Sequence, residues 1–311
     1  MLMNILITGS SGFIGTHSIS FFENLGFHVF CLLRHQKKIT APSNNSIFFN
    51  EEQKTFDSPE IIKKIDIIIH LAGANIAEHR WTTKQKKILF SSRIDFTRNL
   101  FHAFKKLSAS PKLLISASGV GIYESKIKNE IVDESSSLGN SFLSHLAKSW
   151  ENEVQKFHEI NTKVCILRFG SVLSSEGGLL QKILPIYKLF LGGPFGKGNQ
   201  IMPWISLEDL LNIMKWIIFK KDNKEIQFYN AVAPEFISNQ KFTDLLAKMT
   251  NKTNFLRIPT FIIKVILGEM GKELLLSNLC VYPKNLLNEN YKFIYPNLEN
   301  YLKEKISLPQ S

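Results

Sequence analysis

The feature that most constrains this chain is a glycine-rich turn near its start. Ile5 to Thr8 is a run of apolar and β-branched residues typical of a buried parallel strand. Thr16 to Leu25 has a helical pattern and His28 to Leu33 is a second strand. Between the first strand and the helix lie three glycines at three-residue spacing: Gly9, Gly12 and Gly15. A glycine triplet alone is weak evidence, but in a strand–helix–strand unit it predicts a dinucleotide site.

Each glycine of this turn has a physical role. Gly9 permits the sharp exit from the strand, Gly12 removes a Cβ that would block a pyrophosphate, and Gly15 lets the helix pack closely on the sheet. The N–H groups at the start of the helix then point at the phosphates. We therefore predict that the whole turn binds the cofactor: Gly9, Ser10, Ser11, Gly12, Phe13, Ile14 and Gly15.

The composition predicts a globular, cytoplasmic protein. The chain has 311 residues, of which 44% are hydrophobic and 21% charged, and no run approaches the roughly 20 apolar residues of a membrane span. The first strand begins almost at once, so we expect no signal peptide. Three cysteines lie far apart, and we expect them to be reduced: Cys31, Cys165 and Cys280.

The net charge of +11 is spread over many elements. Aromatic residues are not interleaved with the lysines as base stacking requires, so we expect no nucleic-acid binding. A basic surface does favour a polyanionic cofactor.

Strands and helices alternate along most of the chain, which predicts an α/β fold with a doubly wound parallel sheet of the Rossmann type. Further strands are predicted at 47–49, 65–71, 112–118, 163–169 and 227–231, and helices at 84–107 and 141–158. We assign 1–170 to a dinucleotide-binding domain to which 205–235 returns. Residues 171–204 and 236–311 are assigned to a smaller, mainly helical substrate domain.

The end of the second strand predicts NADP rather than NAD. NAD sites place a carboxylate there for the ribose 2′-hydroxyl, whereas NADP sites place a cation against the 2′-phosphate. This chain has Leu33 and Arg34, followed by His35, Lys37 and Lys38, and a guanidinium suits a phosphate. The alternative is a surface arginine in a basic loop.

Several motifs resemble the extended short-chain dehydrogenase/reductase superfamily: Gly9 to Gly15, His70-Leu71-Ala72-Gly73 and Ser116-Ala117-Ser118. A narrower set resembles a subgroup described as epimerase-family or cell-division-inhibitor-like proteins: Arg80-Trp81, Ser92-Arg93-Ile94, Leu191-Gly192-Gly193-Pro194, Met202-Pro203-Trp204-Ile205, Tyr229 to Pro234, and Leu267-Gly268-Glu269. The resemblance covers nearly the whole chain. It implies an NADP-binding Rossmann fold with a small C-terminal substrate domain.

Catalysis in the superfamily relies on a Ser or Thr, a Tyr, and a Lys one helical turn after the Tyr. The serine matches Ser118, for which a simple strand-end hydroxyl is the alternative. The Tyr–Lys pair has no counterpart, because the matching positions are Leu143 and Ala147 or, in a second alignment, Ser144 and Lys148. We therefore expect Tyr123, close after Ser118, to be the catalytic phenol. His145 is the nearby imidazole, although a surface histidine is the commoner case.

The remaining site residues follow from the same resemblance. Arg93 stands where relatives carry an active-site Asn, so it is predicted to bind the cofactor phosphates or an anionic group of the substrate; an exposed ion pair is the alternative. Leu71, Ala72 and Gly73 let the backbone approach the cofactor. Ser116 is also assigned to the cofactor, unless it is a buried strand residue. Residues predicted to line the substrate cleft are Arg80, Trp81 and Trp204, of which Trp204 could equally be core.

Two functions remain open from the sequence. The first is an NADP-dependent oxidoreductase or epimerase acting on a small carbonyl or sugar-like substrate, as a monomer or homodimer. The second is a non-catalytic NADP-binding sensor or interaction module, which the missing Tyr–Lys pair favours. No metal-ligand spacing is present, and the fold alone settles neither function.

Overall fold

A computed structural model of the chain describes residues 3–34, 45–125, 130–189, 192–221, 224–251 and 256–306. Within these ranges the strands are β1 (Asn4–Thr8), β2 (His28–Leu33), β3 (Ser46–Asn50), β4 (Thr55–Phe56), β5 (Ile67–His70), β6 (Leu113–Gly119), β7 (Ile131–Val132), β8 (Lys163–Phe169), β9 (Ser171–Ser174), β10 (Trp204–Ser206), β11 (Ile226–Ala231) and β12 (Cys280–Val281). The helices are α1 (Phe13–Asn24), α2 (Pro59–Ile62), α3 (Thr83–Phe90), α4 (Phe96–Lys106), α5 (Phe142–Gln155), α6 (Gly178–Lys188), α7 (Leu207–Phe219), α8 (Asn239–Met249), α9 (Thr260–Leu267), α10 (Glu269–Leu274), α11 (Lys284–Asn288) and α12 (Leu298–Ile306).

An eight-stranded sheet forms the centre, in the order β11-β8-β6-β5-β1-β2-β3-β4. Neighbouring strands are parallel except for β3 and β4, which form an antiparallel edge. The chain runs outwards from β1 to β3, then crosses to β5 on the other side of β1 and continues outwards to β11. The predicted Rossmann sheet is therefore confirmed. In such sheets the ligand binds beyond the carboxyl ends of the strands, where the order reverses.

Alternating side chains of the central strands form two cores, one on each face of the sheet. Leu6 and Ile68 pack on the face covered by α4 and α5, whereas Ile5 and Ile7 pack on the face covered by α1 and α7. Because both faces are buried, these strands read as continuous apolar runs. The cysteines Cys31, Cys165 and Cys280 are buried, and none of them forms a disulfide within the described residues.

A third apolar cluster joins α6, α8 and α12, in the segments assigned to the smaller domain. Leu286 and Tyr291 depart from that division, because they pack into the core of the large sheet. The division into two domains otherwise stays a prediction. Among the helices described, none is long and apolar enough to cross a bilayer.

The helix predicted over 84–107 differs from the structure at its centre. Residues Ser91–Asp95 form a π-helical turn between α3 and α4. Such a turn inserts one residue into the helical repeat and re-aims the side chains around it. The other predicted elements are found with bounds shifted by a few residues, and the short strands β4, β7, β9, β10 and β12 were not predicted.

Candidate functional site

The glycine turn, residues 9–15, has the backbone that its spacing predicts. Gly9 has a left-handed conformation (φ +68°), and a Cβ there would lie 2.7 Å from the carbonyl carbon of Leu71. A Cβ on Gly15 would lie 2.2 Å from the carbonyl oxygen of Gly9. A larger residue at Gly15 would therefore separate α1 from the turn, and one at Gly9 would push away the backbone that follows β5.

The N-terminus of α1 leaves donors open for an anion. Gly12 begins the helix without a side-chain cap, and the first N–H groups of a helix have no intrahelical partner. A Cβ on Gly12 would contact only the carbonyl oxygen of Gly9, at 3.2 Å, so the space in front of it is open. Ser10 Oγ is buried without a hydrogen-bond partner among the described residues. These groups fit the pyrophosphate of a dinucleotide.

Arg34 directly follows Leu33, the last residue of β2. Its side chain is 46% exposed, and Nη1 lies 3.8 Å from Glu51 Oε1. The guanidinium also stands 5.7 Å from the centre of the Phe96 ring. The position at a strand end suits a ribose phosphate, which would compete with Glu51 for the arginine. His35, Lys37 and Lys38 lie outside the described residues.

A buried chain of hydrogen bonds joins β1, β5, the π-helical turn and α5. Thr97 Oγ1 donates to the carbonyl oxygen of Arg93 at 2.5 Å, so it accepts from His70 Nε2 at 2.8 Å and Trp150 Nε1 at 3.1 Å. His70 Nδ1 then accepts from the Thr8 hydroxyl at 2.7 Å. Burial, with the charge of Arg93, lowers the pKa of His70 to about 3. The neutral imidazole of His70, in β5, is thus hydrogen-bonded to β1 through Thr8 and to α4 through Thr97.

A cavity of about 260 Å³ opens at the carboxyl ends of β6 and β8. Its walls are mainly apolar and include residues of α5, the segment after β8, and the C-terminal region. Polar side chains also line it: Arg93, Ser118, Ser171, Glu273 and Ser277. Because ligands of open α/β sheets bind at this edge, the cavity is the candidate active site.

Ser118 is held in the cavity wall by a buried ion pair. Its hydroxyl donates to Glu151 Oε1 at 2.6 Å, and Arg168 donates to both oxygens of Glu151 at 3.0 and 2.9 Å. Burial alone would lower the pKa of Arg168, but the bonds and charge of Glu151 raise it above its ordinary value. Since the Ser118 proton is committed to Glu151, only its lone pairs are free for a ligand, and Ser118 acts as an acceptor.

The two candidate pairs of α5 have different surroundings. Leu143 and Ala147 line the cavity. Ser144 instead donates to the carbonyl oxygen of Gly121 at 3.0 Å, and Lys148 donates to that of Gly139 at 2.6 Å. The first alignment therefore places two apolar side chains at the cavity wall, whereas the second pair is bonded to backbone carbonyl oxygens; that the Tyr–Lys pair is missing stays a prediction.

Arg93 lies in the π-helical turn, and its guanidinium lines the same cavity. It stacks 5.2 Å from the centre of the Trp150 ring. A Cβ on Gly73 would lie 2.9 Å from Arg93 Cζ, so the small residue after β5 makes room for this side chain. The predicted alternative of an exposed ion pair is wrong, because no carboxylate in the described part of the chain pairs with Arg93.

The prediction that Tyr123 is the catalytic phenol is not supported. Its hydroxyl donates to Asn230 Oδ1 at 2.8 Å and accepts from Arg168 Nη1 at 2.8 Å. The ring is 2% exposed and does not line the cavity. Burial raises the pKa of Tyr123 to about 12, so the phenol keeps its proton and holds Arg168 in place. His145 is exposed on the surface of α5.

The predicted substrate contacts also need correction. Trp204 is buried beside Tyr301 in the third cluster, although its neighbour Pro203 does line the cavity. Trp81 packs on Phe142 and donates to the carbonyl oxygen of Ile76. The exposed Arg80 lies outside the cavity, beside Gly268.

On the cofactor side, Ser116 is fully buried within β6, which agrees with its alternative interpretation. Leu71 and Ala72 donate their N–H groups to Thr8 Oγ1 at 3.2 Å, so their backbone lies directly beside the glycine turn.

Sequence reasoning missed Glu151, Arg168 and Glu273. Arg168 carried a usable signal, because a charge in an otherwise apolar strand needs a buried partner. Glu273 accepts from the N–H groups of Phe142 and Leu143 at 3.2 and 3.0 Å and so caps α5. No local pattern could show this contact.

Comparison with known proteins extends this description. Residues 5–231 match the NAD dependent epimerase/dehydratase family, and residues 258–304 match a domain of unknown function, DUF1731. The epimerase family protein YfhF of Bacillus subtilis is 32% identical over 306 residues, which cover 98% of each chain.

Among solved structures, the human epimerase family protein SDR39U1 with NADPH is similar at a TM-score of 0.83 and 26% identity, covering 98% of this chain and 99% of that chain. A nucleoside-diphosphate sugar epimerase of Corynebacterium glutamicum is similar at a TM-score of 0.78 and 25% identity, covering 99% of this chain and 59% of that chain. UDP-glucose 4-epimerase of Thermotoga maritima, at 19% identity and a TM-score of 0.76, shares the fold, covering 98% of this chain and 97% of that chain.

Proposed function

Because the chain belongs to the NAD-dependent epimerase/dehydratase family, we propose that it binds NADP(H) and acts as an oxidoreductase or epimerase on a small carbonyl or alcohol. The observation that supports an enzyme is Ser118, a hydroxyl oriented by a buried ion pair at the wall of the cavity. The similar human protein is described with NADPH, and Arg34 suits its 2′-phosphate.

The roles in the site follow from these contacts. NADP(H), held by the glycine turn, would supply or accept the hydride. Ser118 Oγ accepts a hydrogen bond from a substrate hydroxyl and so orients the reacting carbon. The apolar walls, including Leu143 and Ala147, exclude water from this carbon.

The test is turnover of a panel of small carbonyls with NADPH and of alcohols with NADP, followed by NADPH absorbance. If Ser118 orients the substrate, Ser118→Ala lowers turnover roughly a hundredfold or more and leaves the Kd for NADPH unchanged. Ser20→Ala, which changes an exposed hydroxyl on α1 outside the cavity, is the matched control and should retain activity. Equal turnover by the Ser118 and Ser20 variants would remove Ser118 from the reaction.

The second candidate is a non-catalytic NADP(H)-binding sensor or interaction module. The apolar pair Leu143 and Ala147 favours it, because the cavity lacks a phenol that could donate a proton. NADPH binding without turnover of any panel member would establish this second function over the first.

A further inference from the structure

Among the described residues, Arg93 is a cation without an anionic partner, and it lies in a largely apolar cavity. Its neighbours include the Trp150 ring, Gly73 and the carbonyl oxygen of Leu89, 3.4 Å from Nη1. Glu273, the carboxylate that also lines the cavity, accepts from two N–H groups at the start of α5 and forms no ion pair with Arg93. Within the part of the chain that the structure describes, the guanidinium of Arg93 is therefore not paired with a carboxylate.

Burying such a charge is costly unless a ligand compensates it. Burial lowers the pKa of Arg93 to about 10, which still leaves it charged at neutral pH. The π-helical turn that carries Arg93 is a second, independent sign, because these rare insertions concentrate at functional sites. Both observations indicate a site for an anion.

The anion is a group of the substrate rather than the pyrophosphate of the cofactor. The pyrophosphate has its own donors at the N-terminus of α1, and no residue of the glycine turn lines the cavity. Arg93 instead shares the cavity with Ser118, the hydroxyl assigned to the reacting group, and with Leu274 and Leu279 of the C-terminal region.

Resting on the proposed function, we infer that the substrate is a small organic monocarboxylate with an apolar body, whose carboxylate binds the Arg93 guanidinium. One guanidinium offers two parallel donors to one carboxylate. A single charge matches the single cation, whereas a dianion would leave a buried charge uncompensated. The cavity, at about 260 Å³, lies below the roughly 300–1,000 Å³ of pockets for drug-sized ligands.

A nucleotide sugar fits these walls poorly. Its hydroxyls and two phosphates need many polar partners, and most lining residues are apolar. The inference therefore separates this chain from the fold relatives whose structures contain UDP-glucose, despite the shared architecture.

The experiment measures binding of benzoate and 3-methylbutanoate, with benzamide and 3-methylbutanamide as neutral isosteres, to NADPH-loaded protein by calorimetry. We expect each carboxylate to bind roughly ten- to a hundredfold more tightly than its amide. Arg93→Met should abolish this preference while the Kd for NADPH stays the same. Arg93→Lys keeps the positive charge but loses the two parallel N–H donors of the guanidinium, so it should retain part of the preference for carboxylate over amide.

The outcomes separate this inference from the proposed function. NADPH binding with no preference for carboxylate over amide overturns the inference and leaves the function standing. A large loss of NADPH affinity in Arg93→Met, with the carboxylate preference kept, would assign Arg93 to the cofactor and overturn it as well. Tight binding of UDP-glucose with no binding of either carboxylate also overturns it. Should Arg93→Met fail to fold, the wild-type ratio of carboxylate to amide affinity decides.

Discussion

The two proposed binding regions differ in which part of the chain would contact the ligand. The glycine turn, or backbone end, offers open N–H groups, a left-handed glycine and the absence of Cβ atoms to the proposed cofactor. The cavity, or side-chain end, offers side chains such as Arg93 and Ser118 to the proposed substrate, supported by the buried pair Glu151 and Arg168. A backbone site has little freedom to change its chemistry. A side-chain site can change its chemistry by substitution within the same fold.

The largest effect is expected at the backbone end. Gly12→Val places a branched side chain where the pyrophosphate approaches, so dinucleotide binding should be lost while the protein remains folded. Calorimetry with NADPH, with thermal unfolding as the control, checks this. Normal NADPH affinity in this variant would contradict the assignment of the glycine turn.

At the side-chain end, Arg168→Met leaves the charge of Glu151 buried and unpaired. The free energy of unfolding should fall by about 3–5 kcal/mol, measured by urea denaturation. Lys105→Met removes a half-exposed pair with Glu159 and should cost at most about 1 kcal/mol. Equal losses in the two variants would contradict the view that the buried charge of Glu151 needs Arg168 as its partner.

The hydrogen-bond chain between the two ends predicts a pH dependence. His70 has a pKa of about 3 in the fold, against 6.5 in an unfolded chain. Between these values the unfolded chain binds a proton that the folded chain does not, so stability falls as the pH falls. The expected slope is about 1.4 kcal/mol per pH unit between about pH 6 and pH 4.

Urea unfolding across this range measures the slope. His70→Asn should flatten it, whereas His145→Asn, which changes an exposed side chain, should not. An unchanged slope in His70→Asn would place the pH dependence elsewhere.

The smallest effect concerns cofactor choice. Arg34→Ala should weaken NADPH binding about ten- to a hundredfold and hardly change NADH binding, because only NADPH has the 2′-phosphate. Glu51→Gln releases Arg34 from its ion pair and should strengthen NADPH binding by at most about fivefold. Equal losses for both cofactors in Arg34→Ala would exclude this role.

The contrast between the glycine turn and the cavity also explains which features could be predicted from the sequence. Gly9 and Gly15 were interpreted correctly because backbone requirements leave a local signature, and the alternation of strands and helices predicted the sheet. The π-helical turn at Ser91–Asp95 has no such signature, since its residues also suit an ordinary helix. Tyr123 was misassigned because proximity to Ser118 in the chain does not show which way a phenol points.

The cavity could not be predicted from the sequence, because its walls come from segments that are distant in the chain. Ser118 and Glu151 lie 33 residues apart in the chain, and Leu274 reaches the same walls from the C-terminal region. Such sets of side chains meet only after the sheet has formed. Charge in an apolar strand, as at Arg168, was the one clue that local reasoning could have used.

Glu273 of α10 caps α5, so the cavity lies between two segments that are 130 residues apart in the chain. Ligand binding in the cavity is therefore coupled to the docking of these two segments. Any ligand that binds against both α5 and α10 holds these segments together, because it binds only when they are docked. At a hundredfold excess over its Kd, such a ligand adds about 2.7 kcal/mol to the stability of the docked state. The amide protons of Phe142 and Leu143 should then exchange with solvent more slowly. Slower hydrogen exchange at these two positions can therefore identify a substrate before any turnover is detected.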